Sequence, residues 1–185
     1  AAVLEAVKNG SSCSLNCPEE VALADMLCNL HPWAEMVRYA RTGGEAMAMA
    51  VRIARTHTGR DKIAFCGYHG WHDWYLAANL GDSANLDGQL LPGLKPLGVP
   101  RELTNTAFPF TYNKIEELEA LMEKYGNEIG VIIMEPMRKS FPENDFLHEV
   151  RRIADEQNAV LIFDEVTSGF RLVQGGAHLH FGVEP

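Results

Sequence analysis

Short, wholly apolar runs alternate along the chain with longer stretches in which apolar residues recur every three or four positions. Residues 129–134 and 159–163 contain no charged or strongly polar break, the pattern of strands buried on both faces. Residues 62–66 and 36–40 predict two shorter strands. Helical patterns fill the intervals. Pro18-Glu19-Glu20 opens one that runs to about Leu30, with proline in a tolerated first-turn position and acids at the positive end. From Glu45 to about Thr56, Ala46, Met49, Ala50, Ile53 and Ala54 share a face. Met47, Ala48 and Val51 extend the apolar character, so this helix is expected to be deeply buried. Asn113, with Glu116 three residues on, predicts a capping box. Ile115, Leu118, Leu121, Met122 and Tyr125 form one face of the helix that follows it. Phe146, Leu147, Val150, Ile153 and Ala154 mark another. Residues 79–103, dotted with glycine and proline, predict a long loop.

Strand–helix–strand order with doubly buried strands predicts an α/β fold, a mostly parallel sheet with flanking helices. Such sheets place ligands at the carboxyl ends of their strands. The residues after Ala40, Cys66, Met134 and Phe163 are therefore the candidates for chemistry.

The 185 residues suit one domain or slightly more, and 46% of them are apolar, enough for a core. Sixteen basic against 25 acidic residues give a formal charge of −9, which argues against nucleic acid or an anionic membrane surface as the main partner. No apolar run is long enough to span a bilayer. Cys13, Cys17, Cys28 and Cys66 lack zinc-site spacing and are too few for a disulfide scaffold. Reduced thiols in a cytoplasmic protein are expected.

Arg41-Thr42-Gly43-Gly44-Glu45 leads straight into a helix. Two glycines let the backbone approach a ligand, and open N–H groups at a helix start favour an anion such as phosphate. The same pattern also makes a plain tight turn. Gly67-Tyr68-His69-Gly70-Trp71-His72-Asp73-Trp74 offers two histidines, but the glycines disfavour a helical metal site. Its aromatics suit either stacking on a flat partner or a packed loop. Asp164-Glu165 and Glu135-Pro136 end the two buried strands. A carboxylate in that position must be paired, either by a structural salt bridge or by a cationic ligand atom. No G-x-G-x-x-G follows a strand, which weakens a dinucleotide-binding reading.

Together these fragments resemble the large domain of class III aminotransferases, fold-type-I enzymes that use pyridoxal 5′-phosphate, and within that family its glutamate-1-semialdehyde 2,1-aminomutase-like members. The likeness runs essentially the whole chain, from Pro18-Glu19-Glu20 to Phe181-Gly182-Val183-Glu184-Pro185. It implies that Thr42, Gly43 and Gly44 hold the cofactor phosphate. The family usually has Ser-Gly-Thr there, so the third hydroxyl is missing. It implies that Tyr68 stacks on one face of the pyridine ring with His69 beside it, and that Val166 presses on the other. It implies that Asp164, at the catalytic position, pairs with the pyridine nitrogen and keeps it protonated, which would make the ring an electron sink. It implies that Glu135, at the family's Glu-Pro pair, either supports the residues that touch the cofactor or stands on the substrate side. The loop 137–145 departs from the small, glycine-rich sequence common in aminomutases, which favours a divergent relative acting on another amino acid or an amino sugar. The family also implies small-molecule amino donors and acceptors and a homodimer.

The family's chemistry needs a Schiff-base lysine more than two dozen residues after the aspartate. Only 21 residues follow Asp164, and the last lysine is Lys139. Residues 1–185 are accordingly expected to be part of the cofactor-binding large domain, without the lysine region and the small C-terminal domain, and inactive alone. The alternative is a non-catalytic module that keeps the fold for binding or assembly.

Overall fold

The computed structural model describes residues 1–10 and 15–185; Cys13 lies outside the described residues. Two units form, Ala1–Arg38 and Tyr39–Pro185. The first contains α1 (Ala2–Asn9) and α2 (Pro18–Leu30). As expected, Pro18 stands in the first turn of α2. The Glu20 carboxylate accepts from the Cys17 backbone N–H at 3.1 Å, the reciprocal bond of a capping box.

The second unit is built on a four-stranded parallel sheet in the order β2-β1-β3-β4. Its strands are β1 (Lys62–Cys66), β2 (Ala107–Pro109), β3 (Ile129–Met134) and β4 (Val160–Phe163). Helices α3 (Gly43–Thr58), α6 (Ile115–Tyr125) and α7 (Phe146–Glu156) flank it. The short helices α4 (Asp73–Leu76), α5 (Ala78–Gly81) and α8 (Ala177–Phe181) lie in the connections. This is the expected α/β architecture. Every residue of β3 is buried, and its alternation divides two cores. Ile132 and Met134 join Leu118, Met122, Leu147 and Val150 from α6 and α7. Val131 and Ile133 join Val51 and Ala54 of α3 with Trp74 and Tyr75 of α4.

Several local expectations are corrected. Residues 36–40 form no strand. A strand needs a ladder partner, and the described sheet offers this segment none; Met36 is 87% exposed. Helix α3 starts at Gly43 rather than Glu45 and is less buried than its composition suggests, with Ile53 62% exposed. Asn113 is not a cap: it adopts a positive φ of 62°. Its side chain donates to Phe141 O at 3.2 Å and accepts from Glu143 N at 3.1 Å. Glu117, not Glu116, reaches back, accepting from Thr111 N at 2.8 Å. Segment 79–103 is not featureless either. It includes most of α5 and a 3-10 turn at Arg101–Leu103, and Leu86 and Val99 anchor it in the core.

Candidate active site

Ladder register assembles the site. Cys66 pairs with Met134, and Met134 with Phe163, at the ends of β1, β3 and β4. The pairing continues one residue further: Glu135 N donates to Cys66 O at 3.3 Å and Asp164 N to Met134 O at 2.8 Å. Gly67, Glu135 and Asp164 thus leave the sheet along one row.

Asp164 is buried, and its Oδ2 lies 2.9 Å from His69 Nδ1. The other ring nitrogen, Nε2, faces the Cys66 carbonyl at 3.1 Å and must donate to it. Asp164 Oδ1 accepts from Val166 N at 3.1 Å, and each carboxylate oxygen keeps a second lone pair. His69 stacks on Trp74 at 6.1 Å between ring centroids. Both of its ring nitrogens are engaged.

Glu135 is held differently. Arg138 Nη1 donates to both of its oxygens at 3.0 Å, and Tyr68 N donates to Oε2 at 3.4 Å. Gly67, at φ 110°, leaves room for this carboxylate: a Cβ there would stand 2.7 Å from Glu135 Oε2. Gly67 is also fixed from two sides. Its N–H donates to Gln89 Oε1 at 2.7 Å, and its carbonyl accepts from Tyr75 Oη at 3.0 Å. The Cys66 thiol beneath is pushed up to about 12 by burial and then by the nearby Glu135 charge, so it stays protonated.

Thr42 caps α3, its Oγ1 accepting from Glu45 N at 3.2 Å. Gly43 and Gly44 are the first helical residues, and such N–H groups have no acceptor within the helix. The Glu45 carboxylate turns back to Arg41, whose side chain and backbone N–H donate at 2.9 and 3.0 Å. Those bonds hold Glu45 below the usual carboxylate range. Loops from two strand ends press close to the α3 start. A Cβ on Gly43 would meet Val166 at 2.9 Å, and one on Gly70 would meet the Gly44 Cα at 2.7 Å.

A cavity of about 450 Å³ lies where these segments converge. All the residues picked from the sequence line it: Thr42, Gly43, Gly44, Tyr68, His69, Glu135, Asp164 and Val166. Gly70, Trp71, Arg138 and Thr167, which sequence reasoning did not pick, line it too, as does His72, considered there only as a metal ligand. The dense glycine and aromatic run 67–74 was the signal for three of these. Arg138 had only its position after a strand-end Glu-Pro. Glu165 turns away from the cavity. Its oxygens accept from Ala177 N at 2.6 Å and His178 N at 3.0 Å, and lie 2.5 Å from His178 Nδ1. No lysine is among the described residues lining the cavity.

A parallel α/β sheet whose strand ends carry a buried acid opposite open helix N–H groups suits a ligand that is anionic at one end and carries a cationic atom at the other. A family profile, Aminotransferase class-III, matches residues 1–185, and the chain belongs to that family. It is 42% identical over 193 residues to a glutamate-1-semialdehyde 2,1-aminomutase of Francisella philomiragia, covering 99% of this chain and 43% of that relative. A solved transaminase with PLP bound superposes with a TM-score of 0.83 at 28% identity, over 99% of this chain and 43% of the other. An omega-transaminase from Sphaerobacter thermophilus gives 0.80 at 29% identity, over 100% and 43%. The chain thus spans less than half the length of the relatives it matches. Among the described residues no helix is long and apolar enough to cross a membrane.

Proposed function

We propose that residues 1–185 form the cofactor-holding part of the large domain of a pyridoxal 5′-phosphate-dependent aminotransferase or aminomutase. The observation that carries this reading is the meeting, in one cavity, of the open Gly43 and Gly44 N–H groups with the buried Asp164 carboxylate that His69 holds. The residues fit the group. Gly43 and Gly44 leave the α3 start room against the Val166 and His72 side chains, Gly70 leaves room for the Gly44 backbone, and the Asp164 oxygens retain lone pairs for a protonated ring nitrogen.

In this reading the cofactor supplies an electron sink for charge developing on the substrate carbon. Gly43 and Gly44 N–H groups, with the Thr42 hydroxyl, bind its phosphate. Asp164 holds a proton on the pyridine nitrogen, and His69 fixes the carboxylate through Oδ2. Tyr68 and Val166 close on the two ring faces, and Glu135 stands on the substrate side. Transfer between a small-molecule amino donor and acceptor fits these roles, as does transfer within one substrate. The residues Arg138 and Lys139 after Glu135-Pro136 favour a substrate unlike that of the aminomutase relatives. For the whole protein we also propose a homodimer in the cytoplasm. Exposed Trp71 and Phe170 in the second unit support the first. The unpaired thiols of Cys17, Cys28 and Cys66 support the second.

The test is titration of the purified chain with pyridoxal 5′-phosphate, followed by borohydride reduction and intact mass. Saturable binding at one site without a stoichiometric covalent adduct is expected, because no described cavity residue is a lysine. Absence of saturable binding would overturn the cofactor reading. An adduct at one lysine would show a covalent anchor that this geometry does not supply.

A further inference from the structure

Two side chains press on the Gly43-Gly44 turn at the start of α3, one against each glycine. Val166 stands against Gly43 and has no polar side-chain atom. The His72 ring stands against Gly44: a Cβ there would lie 3.2 Å from Cδ2 and 3.3 Å from Nε2. The ring therefore turns its Cδ2–Nε2 edge to the turn and takes up the space that a side chain at position 44 would fill. His72 is exposed and lines the cavity of about 450 Å³. Neither of its ring nitrogens has a hydrogen-bond partner among the described residues. The other imidazole of the cavity, His69, has both nitrogens committed. Arg138 is tied to Glu135, where a second cavity of about 240 Å³ adjoins the first.

The backbone holds the ring in this place. His72 starts α4, and its carbonyl accepts from Tyr75 N at 3.0 Å and Leu76 N at 3.1 Å. Trp74, Tyr75 and Leu76 bury that helix in the core. Two residues before His72, Gly70 packs on the Gly44 backbone. The loop and the start of α3 are thus in contact before any ligand arrives. The Glu45 charge also faces the His72 ring, but its carboxylate takes its hydrogen bonds from Arg41.

We propose that His72 is a phosphate-binding residue of the cofactor site. Its Nε2–H donates to a phosphate oxygen, and the Gly43 and Gly44 N–H groups hold the same phosphate from the helix side. Backbone N–H groups at a helix start carry only partial charge. A side-chain donor set beside them adds a hydrogen bond to a charged acceptor, the stronger kind. The assignment rests on the cofactor reading and extends it: His72 makes the site prefer the phosphorylated form of the cofactor to the unphosphorylated one.

The probes are pyridoxine 5′-phosphate, which has no aldehyde to condense with a lysine, and pyridoxine, which also lacks the phosphate. Each is titrated into the full chain by calorimetry and followed by NMR at the His72 ring nitrogens. A saturable shift of Nε2 with pyridoxine 5′-phosphate, and none with pyridoxine at the same concentrations, is expected. His72→Ala should weaken pyridoxine 5′-phosphate about tenfold or more and leave the pyridoxine titration as it was. The bonds that start α4 come from the backbone carbonyl of residue 72, so this variant keeps them. A merely structural role for His72 would weaken both ligands alike. Undiminished affinity in His72→Ala, equal loss for the two ligands, or an unmoved Nε2 signal would overturn the assignment. If the unaltered chain binds neither probe, the cofactor reading itself falls. Binding of pyridoxine 5′-phosphate that is indifferent to His72 overturns only the role of His72.

Discussion

Asp164 and Glu135 leave neighbouring strands on the same row, and both are buried, yet they are held by different chemistry. Asp164 faces an imidazole that is itself fully enclosed. Glu135 faces a guanidinium that is partly open, and its pair stands between two cavities. The enclosed pair has a fixed geometry and suits a constant task, holding one ligand atom. The half-open pair can exchange part of its partner's hydrogen bonding for that of a ligand.

Breaking the enclosed pair should cost most. Asp164→Ala is expected to lower unfolding free energy by about 3–5 kcal/mol, the usual penalty for stranding one member of a buried pair, read from urea midpoints. Glu135→Ala should cost less, about 1.5–3 kcal/mol, because Arg138 can turn to water. Equal losses would mean that exposure of the partner does not distinguish the two acids. Gly70→Ala is next: a side chain at φ 87° and 2.7 Å from the Gly44 Cα should cost about 1–3 kcal/mol. It should also weaken pyridoxal 5′-phosphate binding by displacing the glycine N–H groups, and unchanged affinity would argue that they do not hold the phosphate. The smallest effect concerns Glu165. Burial raises its carboxyl, but the His178 side chain and the N–H groups of His178 and Ala177 outweigh that and hold it below the ordinary value of 4.5. A depressed carboxylate contributes stability that is present above the ordinary value and lost as pH falls through the folded-state value. Glu165→Gln should flatten this part of the acid limb of stability, whereas an unchanged acid limb would place the proton uptake elsewhere.

The long-range plan was legible because burial on both faces leaves a strong signal. Residues 129–134 have no polar break, so β3 could be neither an edge strand nor an amphipathic helix. The site followed, since parallel strands end on one row and the sequence displays what comes next. Local chemistry was less legible. Asn113 has the composition of a cap, but its side chain found partners some 30 positions away, which no window of sequence contains. Residues 36–40 have strand composition without a ladder partner among the described residues. Arg138 was hardest to recognise, because an arginine after a strand reads as a solvated charge until Glu135 and the two cavities are seen around it.

The cavity draws on four segments between Thr42 and Thr167 that meet only once the sheet is complete. A ligand seated there bridges the ends of β1 and β4 with the start of α3, so every opening that parts them must first release it. Its binding free energy then adds to the cost of those openings. Amide hydrogen exchange along β1, β3 and β4 should slow together as the ligand saturates, while α1 and α2 exchange as before.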